Sequence, residues 1–141
     1  MSWHLFHPAM VHFTIAFLFC GALTLAWALL AEREGLERFG QRLYLLGAAS
    51  LVLTLFTGFL AENTIEPVLG SEPLIAAHER NGWIVGALVL ASLLWRAWNR
   101  GALPQGQRAP YAVLLFAIAA MLAWGAWLGG QLVYRMGVGV A

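Results

Sequence analysis

The chain has 141 residues, of which 61% are hydrophobic and only 11% charged, and its formal net charge is +1. A water-soluble domain of this length carries about twice that charged fraction, and a nucleic-acid partner would call for a basic stripe that this balance does not supply. The single cysteine, Cys20, excludes an internal disulfide and, set in an apolar run, reads as a packed thiol.

The charges bunch between long uncharged runs, each near the twenty or so residues that cross a bilayer. The first predicted span opens at Pro8, a favoured first helical position, and runs to about residue 31. No basic segment precedes it and no small-residue cleavage site follows, so it is expected to be retained. After the charged turn at 32–38, the second span covers about 39–61. Residues 62–77, with Pro67, Gly70 and Pro73, form the longest loop. The third span, about 78–98, holds Arg80 and Arg96 inside its ends, where both can snorkel to the headgroups. A polar loop at 100–108 leads to the last span, about 109–134, which carries no charge. The expected fold is a single all-α domain over 1–141, an integral membrane four-helix bundle with no internal repeat evident.

Orientation follows from the arginines. Arg33, Arg38 and Arg42 flank the first connection and Arg96, Arg100 and Arg108 the third, against Arg80 and Arg135 on the other side. The positive-inside rule puts the two short connections in the cytoplasm. Both termini and the acidic loop (Glu62, Glu66, Glu72, Glu79) then face the periplasm of a bacterial inner membrane. Trp3, Phe6, Trp83, Trp95, Trp98 and Tyr134 fall at span ends, as an aromatic belt does. Gly82 with Gly86, and Gly125 with Gly129, are spaced for close helix packing, within the bundle or in a homodimer.

Four histidines decide the functional reading: His4, His7, His12 and His78. The topology gathers all four at the outer end, and a titratable residue inside a span is costly unless it is paired or used. His7 reads as an N-cap before Pro8. His12 lies five residues on, rotated by roughly 140°, so the two do not share a face. His12 and His78, from different helices, form the best trans pair, as ligands in bundle cores do. Imidazole suits iron, copper or zinc. Thr57 and Gly58 lie near the same face, and Gly58 would let a flat cofactor approach the backbone. Met136 could ligate iron or copper, and Arg80 and Arg135 could pair with haem propionates. A mid-membrane acid, as a transport relay would need, is missing from every span.

HPAMVHFTIA at 7–16, TG at 57–58, a histidine opening span three and GGQLVYRMGVGV at 129–140 resemble, over almost the whole chain, the small four-helix membrane proteins catalogued as "domain of unknown function 2231". The resemblance implies respiratory electron transfer, because members occur fused to, or beside, Rieske-type iron–sulfur domains. It maps the family histidines onto His7, His12 and His78 and omits His4. Thr14 replaces the usual proline, and Met136 stands where many members carry a histidine, so a tail ligand is either swapped or lost.

The expected function is therefore a b-type cytochrome with one or two haems near the periplasmic end. It would be an electron carrier rather than a catalyst, since iron with two imidazoles leaves no open position. His12 and His78 are the first ligands expected, then His7. The expected partners are membrane lipid, a quinol, and a Rieske-type or other periplasmic redox protein on a separate chain. The alternatives are a copper- or zinc-binding membrane protein using the same histidines, and a cofactor-free assembly subunit.

Overall fold

A computed structural model describes residues 3–65 and 68–140, with side chains from residue 6 onward. Glu66 and Pro67 of the long loop, and the side chains of Trp3 and His4, lie outside the described residues. Three consecutive stretches form one continuous helix, α1: Trp3–Thr14, a π-helical turn over Ile15–Phe19, and Cys20–Leu30. Three more helices follow: α2 (Glu34–Glu62), α3 (Glu72–Trp98) and α4 (Gln105–Tyr134). The described residues thus form four helices, and a core cluster drawn from all of them joins Leu18, Leu25, Leu51, Val85 and Leu115.

The helices start earlier than the apolar runs suggest. Glu34 and Glu37 open α2 and Glu72 opens α3, where a carboxylate is favoured by the partial positive charge of the helix N-terminus. The charged turn is therefore half helix. Pro8 lies inside α1 rather than at its first position. It removes only the donor that the carbonyl of His4 would otherwise receive, which a helix end tolerates better than its middle. His7 is consequently a helical residue, not an N-cap.

By length and composition, three helices can cross a membrane: Phe6–Leu30, Glu34–Glu62 and Gln105–Tyr134. At 29 residues, α2 extends about 43 Å, more than the roughly 30 Å of a hydrocarbon core. α3 has 27 residues but is not among the three, because Glu79, Arg80, Asn81, Ser92 and Arg96 dilute its apolar character. The outer surface agrees with a membrane setting. Phe13, Trp27, Phe56, Leu90, Val113 and Trp124 are all exposed, an apolar coat that water would penalise. Cys20 belongs to that exposed surface rather than to the core expected from its apolar neighbours, since α1 turns it away from α2.

Helix contact is closest between α1 and α2. A Cβ on Gly21 would come within 2.5 Å of the Tyr44 nitrogen, one on Gly40 within 2.8 Å of the Leu25 nitrogen, and one on Gly47 would strike the backbone of Leu18. Leu18 sits in the π-helical turn, so the irregular turn lies where the two backbones meet. The spaced glycines picked from the sequence do different work. Gly82 and Gly86 seat the Leu55 side chain, Gly125 seats Asn81 and Gly129 seats His78.

At the end holding the α1–α2 and α3–α4 connections, Glu37 accepts hydrogen bonds from Arg96 (2.7 Å) and Arg108 (3.1 Å). Arg96 is buried, so it turns inward to a carboxylate rather than outward to headgroups. Gln107 accepts from Trp95 (2.7 Å) and Asn99 (3.0 Å), tying α3 to α4 and drawing Trp95 off the surface belt. Deeper in the bundle, the Tyr44 hydroxyl donates to Ser92 Oγ at 2.6 Å, while Ser92 Oγ donates to the Val89 carbonyl.

Candidate functional site

The opposite end of the bundle holds the histidines. His7 reaches from α1 to α2, where its Nδ1 lies 3.1 Å from the carbonyl oxygen of Thr54. A carbonyl only accepts, so Nδ1 carries the proton and, in the neutral ring, Nε2 keeps the free lone pair. Thr57 Oγ1 flanks the same nitrogen at 3.5 Å and itself donates to the Leu53 carbonyl at 2.9 Å. Thr14 and Thr54 join their hydroxyls at 2.8 Å just beneath. The Thr54 carbonyl thus holds the imidazole, with the Thr57 hydroxyl at its side.

His78 repeats this arrangement between α3 and α4. Its Nδ1 lies 3.1 Å from the carbonyl oxygen of Gly125, which again leaves the lone pair on Nε2. The two rings stand 6.2 Å apart, centroid to centroid, with planes at 82°. Each lies over a glycine. A Cβ on Gly58 would be 3.0 Å from Cε1 of His7, and one on Gly129 would be 3.2 Å from Cε1 of His78. A larger residue at either position would push the ring off its carbonyl.

The structure therefore brings His7, not His12, beside His78. His12 is exposed, and its Nδ1 donates to the carbonyl of Pro8 in its own helix at 2.6 Å. The rotation between positions 7 and 12 that separates their faces also decides which one points inward. Gly58 does accept a flat ring, but that ring is the chain's own His7. Arg80 and Arg135 are both exposed, at the histidine end because α3 starts there and α4 finishes there. Met136 is half-buried, in a tail whose Val138 nitrogen bonds back to the Leu132 carbonyl at 2.9 Å. The tail runs against the long loop, for a Cβ on Gly139 would lie 3.9 Å from Ile65.

Sequence reasoning did not single out Thr54, Gly129 or Asn81 for this site. Asn81 is buried one turn along α3 from His78, donates to the Met121 carbonyl at 3.1 Å, and leaves Oδ1 buried without a partner. Its signal was a lone amide, three residues after a histidine, in an otherwise apolar helix. Thr54 gave no signal, because the group that matters is its backbone carbonyl.

Two half-buried imidazoles, held by main-chain acceptors with their remaining nitrogens unprotonated, can ligate a metal; hydrogen-bonded second nitrogens of this kind are usual for metal-bound histidine. No curated protein and no solved structure matches the chain. A family model does, that of DUF2231, described as a predicted membrane protein, over residues 3–141. The chain belongs to the DUF2231 family.

Proposed function

We propose that this protein is a membrane b-type cytochrome that relays electrons, with haem iron taken between His7 and His78. The observation that carries the reading is the pair of imidazoles from different helices at 6.2 Å, each with Nδ1 on a backbone carbonyl. At that separation both imidazoles would be within reach of a single metal ion. The donor set fits bis-imidazole iron. When bound, haem would supply reversible one-electron transfer. The protein's part is to fix both rings, keep Nε2 unprotonated through the Thr54 and Gly125 carbonyls, and surround the pair with apolar helix. Exposed Arg80 and Arg135 at that end offer partners for propionates.

The arginine distribution supports four crossings with both termini and the histidines on the periplasmic side of a bacterial inner membrane. A quinol or a Rieske-type periplasmic protein on a separate chain would then exchange electrons with the site. A second reading rests on the same distance. A copper(I) ion bridging two imidazoles would hold them at a similar separation, whereas tetrahedral zinc needs three or four convergent donors. Among the described residues no group of three or more His, Cys, Asp or Glu converges.

The test is a pyridine haemochrome assay on the purified chain, with elemental analysis. A red preparation with haem b, lost in His7→Ala and in His78→Ala but retained in His12→Ala, supports the cytochrome. A colourless preparation containing copper supports the second reading. Neither signal in the wild-type chain sinks both and leaves an assembly subunit.

A further inference from the structure

The bonds that fix the two histidines are spaced identically. His7 and Thr54 are 47 residues apart, and so are His78 and Gly125. Adding 71 to His7, Thr54 and Gly58 gives His78, Gly125 and Gly129, each in the same role. The register extends along α2 and α4. Helix α2 starts at Glu34 and α4 at Gln105, again 71 apart. The buried positions of α2, which are 40, 44, 47, 48, 51, 54, 57 and 61, all map onto buried positions of α4.

Two helices facing one core would share some of that burial by periodicity alone. The matched bonds and matched residue types are not explained in that way. Ala26–Trp27 near the end of α1 corresponds to Ala97–Trp98 at the end of α3, and Gly35 to Gly106 at the start of the returning helices. Glu37 corresponds to Arg108, and these two are joined across the bundle at 3.1 Å. Equivalent residues that touch each other must lie beside a symmetry axis. His7 with His78 marks that axis at one end, and Glu37 with Arg108 marks it at the other.

The repeats have diverged where they pack. Gly21, Gly40 and Gly47 bring α1 onto α2, while their counterparts Ser92, Tyr111 and Ile118 space α3 from α4. Tyr111 fills the added room and donates to the Ser92 carbonyl at 3.2 Å. The sequence shows no clear repeat because these exchanges fall on the helix-packing positions.

We propose that the chain is a duplicated helix pair, and that haem binds it once, on the pseudo-two-fold axis, with His7 and His78 as equivalent ligands and Gly58 and Gly129 as equivalent ring seats. This rests on the cytochrome reading for the identity of the group, and on the geometry alone for the axis. A group with two equivalent faces suits such a site, because each repeat offers the same imidazole in the same setting.

Two measurements on the full-length chain test it. Titration with iron protoporphyrin IX should end at one equivalent per chain. Gly58→Val and Gly129→Val should each weaken binding by more than about tenfold, and to a similar degree. An endpoint of two, or an effect at only one glycine, overturns the shared site. In a Cys20→Ser background, the haem-free His7→Cys/His78→Cys chain should form an intramolecular cross-link on mild oxidation or with a short bismaleimide. Failure of both reagents, with the variant folded by circular dichroism, overturns the axis. A cross-link without any haem binding in the parent chain would reject the cytochrome and the haem stoichiometry while keeping the axis.

Discussion

The imidazole of His78 stands 6.2 Å from that of His7 and nearly perpendicular to it, the two rings being delivered by different helices. Neither ring is held by another side chain alone; each hangs from a main-chain carbonyl and rests on a glycine. Rigid backbone is a better positioning device than a rotatable partner.

Moving the ring of His7 should matter as much as removing its bond. With Cε1 already at 3.0 Å from a Cβ placed on Gly58, a valine there forces the imidazole away from Thr54. Thr57→Val, which takes from His7 only a 3.5 Å flank and otherwise breaks a bond to the Leu53 carbonyl within α2, should leave haem content within about twofold of wild type, since a contact that long contributes little. Haem-to-protein ratios of the purified variants check the contrast, and a Thr57→Val loss as large as that of Gly58→Val would contradict it.

Gly47→Ala should be among the most damaging single methyl additions. Its new Cβ would strike the backbone of Leu18, which cannot rotate aside. Overpacking of this kind costs about 1–3 kcal/mol. Gly35→Ala is the control, because nothing lies within 4 Å of its added carbon. Thermal unfolding in detergent should show a clear fall in Tm for the first and none for the second.

Glu37 holds two guanidinium groups with its side chain only 12% exposed. Glu37→Gln would leave Arg96 buried without a carboxylate, a loss of about 3 kcal/mol. Arg108→Ala should cost less, because its side chain is 22% exposed and Arg96 still satisfies the carboxylate. The double variant Glu37→Gln/Arg96→Met should recover part of the loss. Chemical unfolding of the set measures it, and additive losses in the double variant would contradict coupling of the pair.

The proposed orientation predicts a periplasmic C-terminus. An alkaline phosphatase fused after Ala141 should be active, and a fluorescent protein that matures only in the cytoplasm should stay dark. The reverse pattern would move the histidine end to the cytoplasmic side and remove periplasmic redox partners from the proposal.

Met136→His should change the haem midpoint potential little. If His7 and His78 both hold the haem as proposed, the half-buried thioether is left to packing in the tail. A marked fall in potential would instead identify Met136 as a ligand, since replacing a thioether by imidazole lowers it.

The sequence by itself determined the helical class, the separation of four helices and the end of the bundle where the histidines gather. Those features follow from long apolar runs, charged connections and alternating chain direction. It also yielded His7, His78 and Gly58 as residues of interest and, through its motifs, the family. Tertiary structure decided the rest. Which histidine faces His78 depends on the rotation of α1 about its own axis, and that rotation is set by Gly21, Gly40 and Gly47 meeting particular backbone atoms of the neighbouring helix. Thr54 and Gly125 act through carbonyls, which no residue type announces. Arg96 turns inward because Glu37 waits on another helix, 59 positions away. The duplication is hidden because exchanges such as Gly40 for Tyr111 alter residue size where helices touch, while the buried positions of α2 recur in α4.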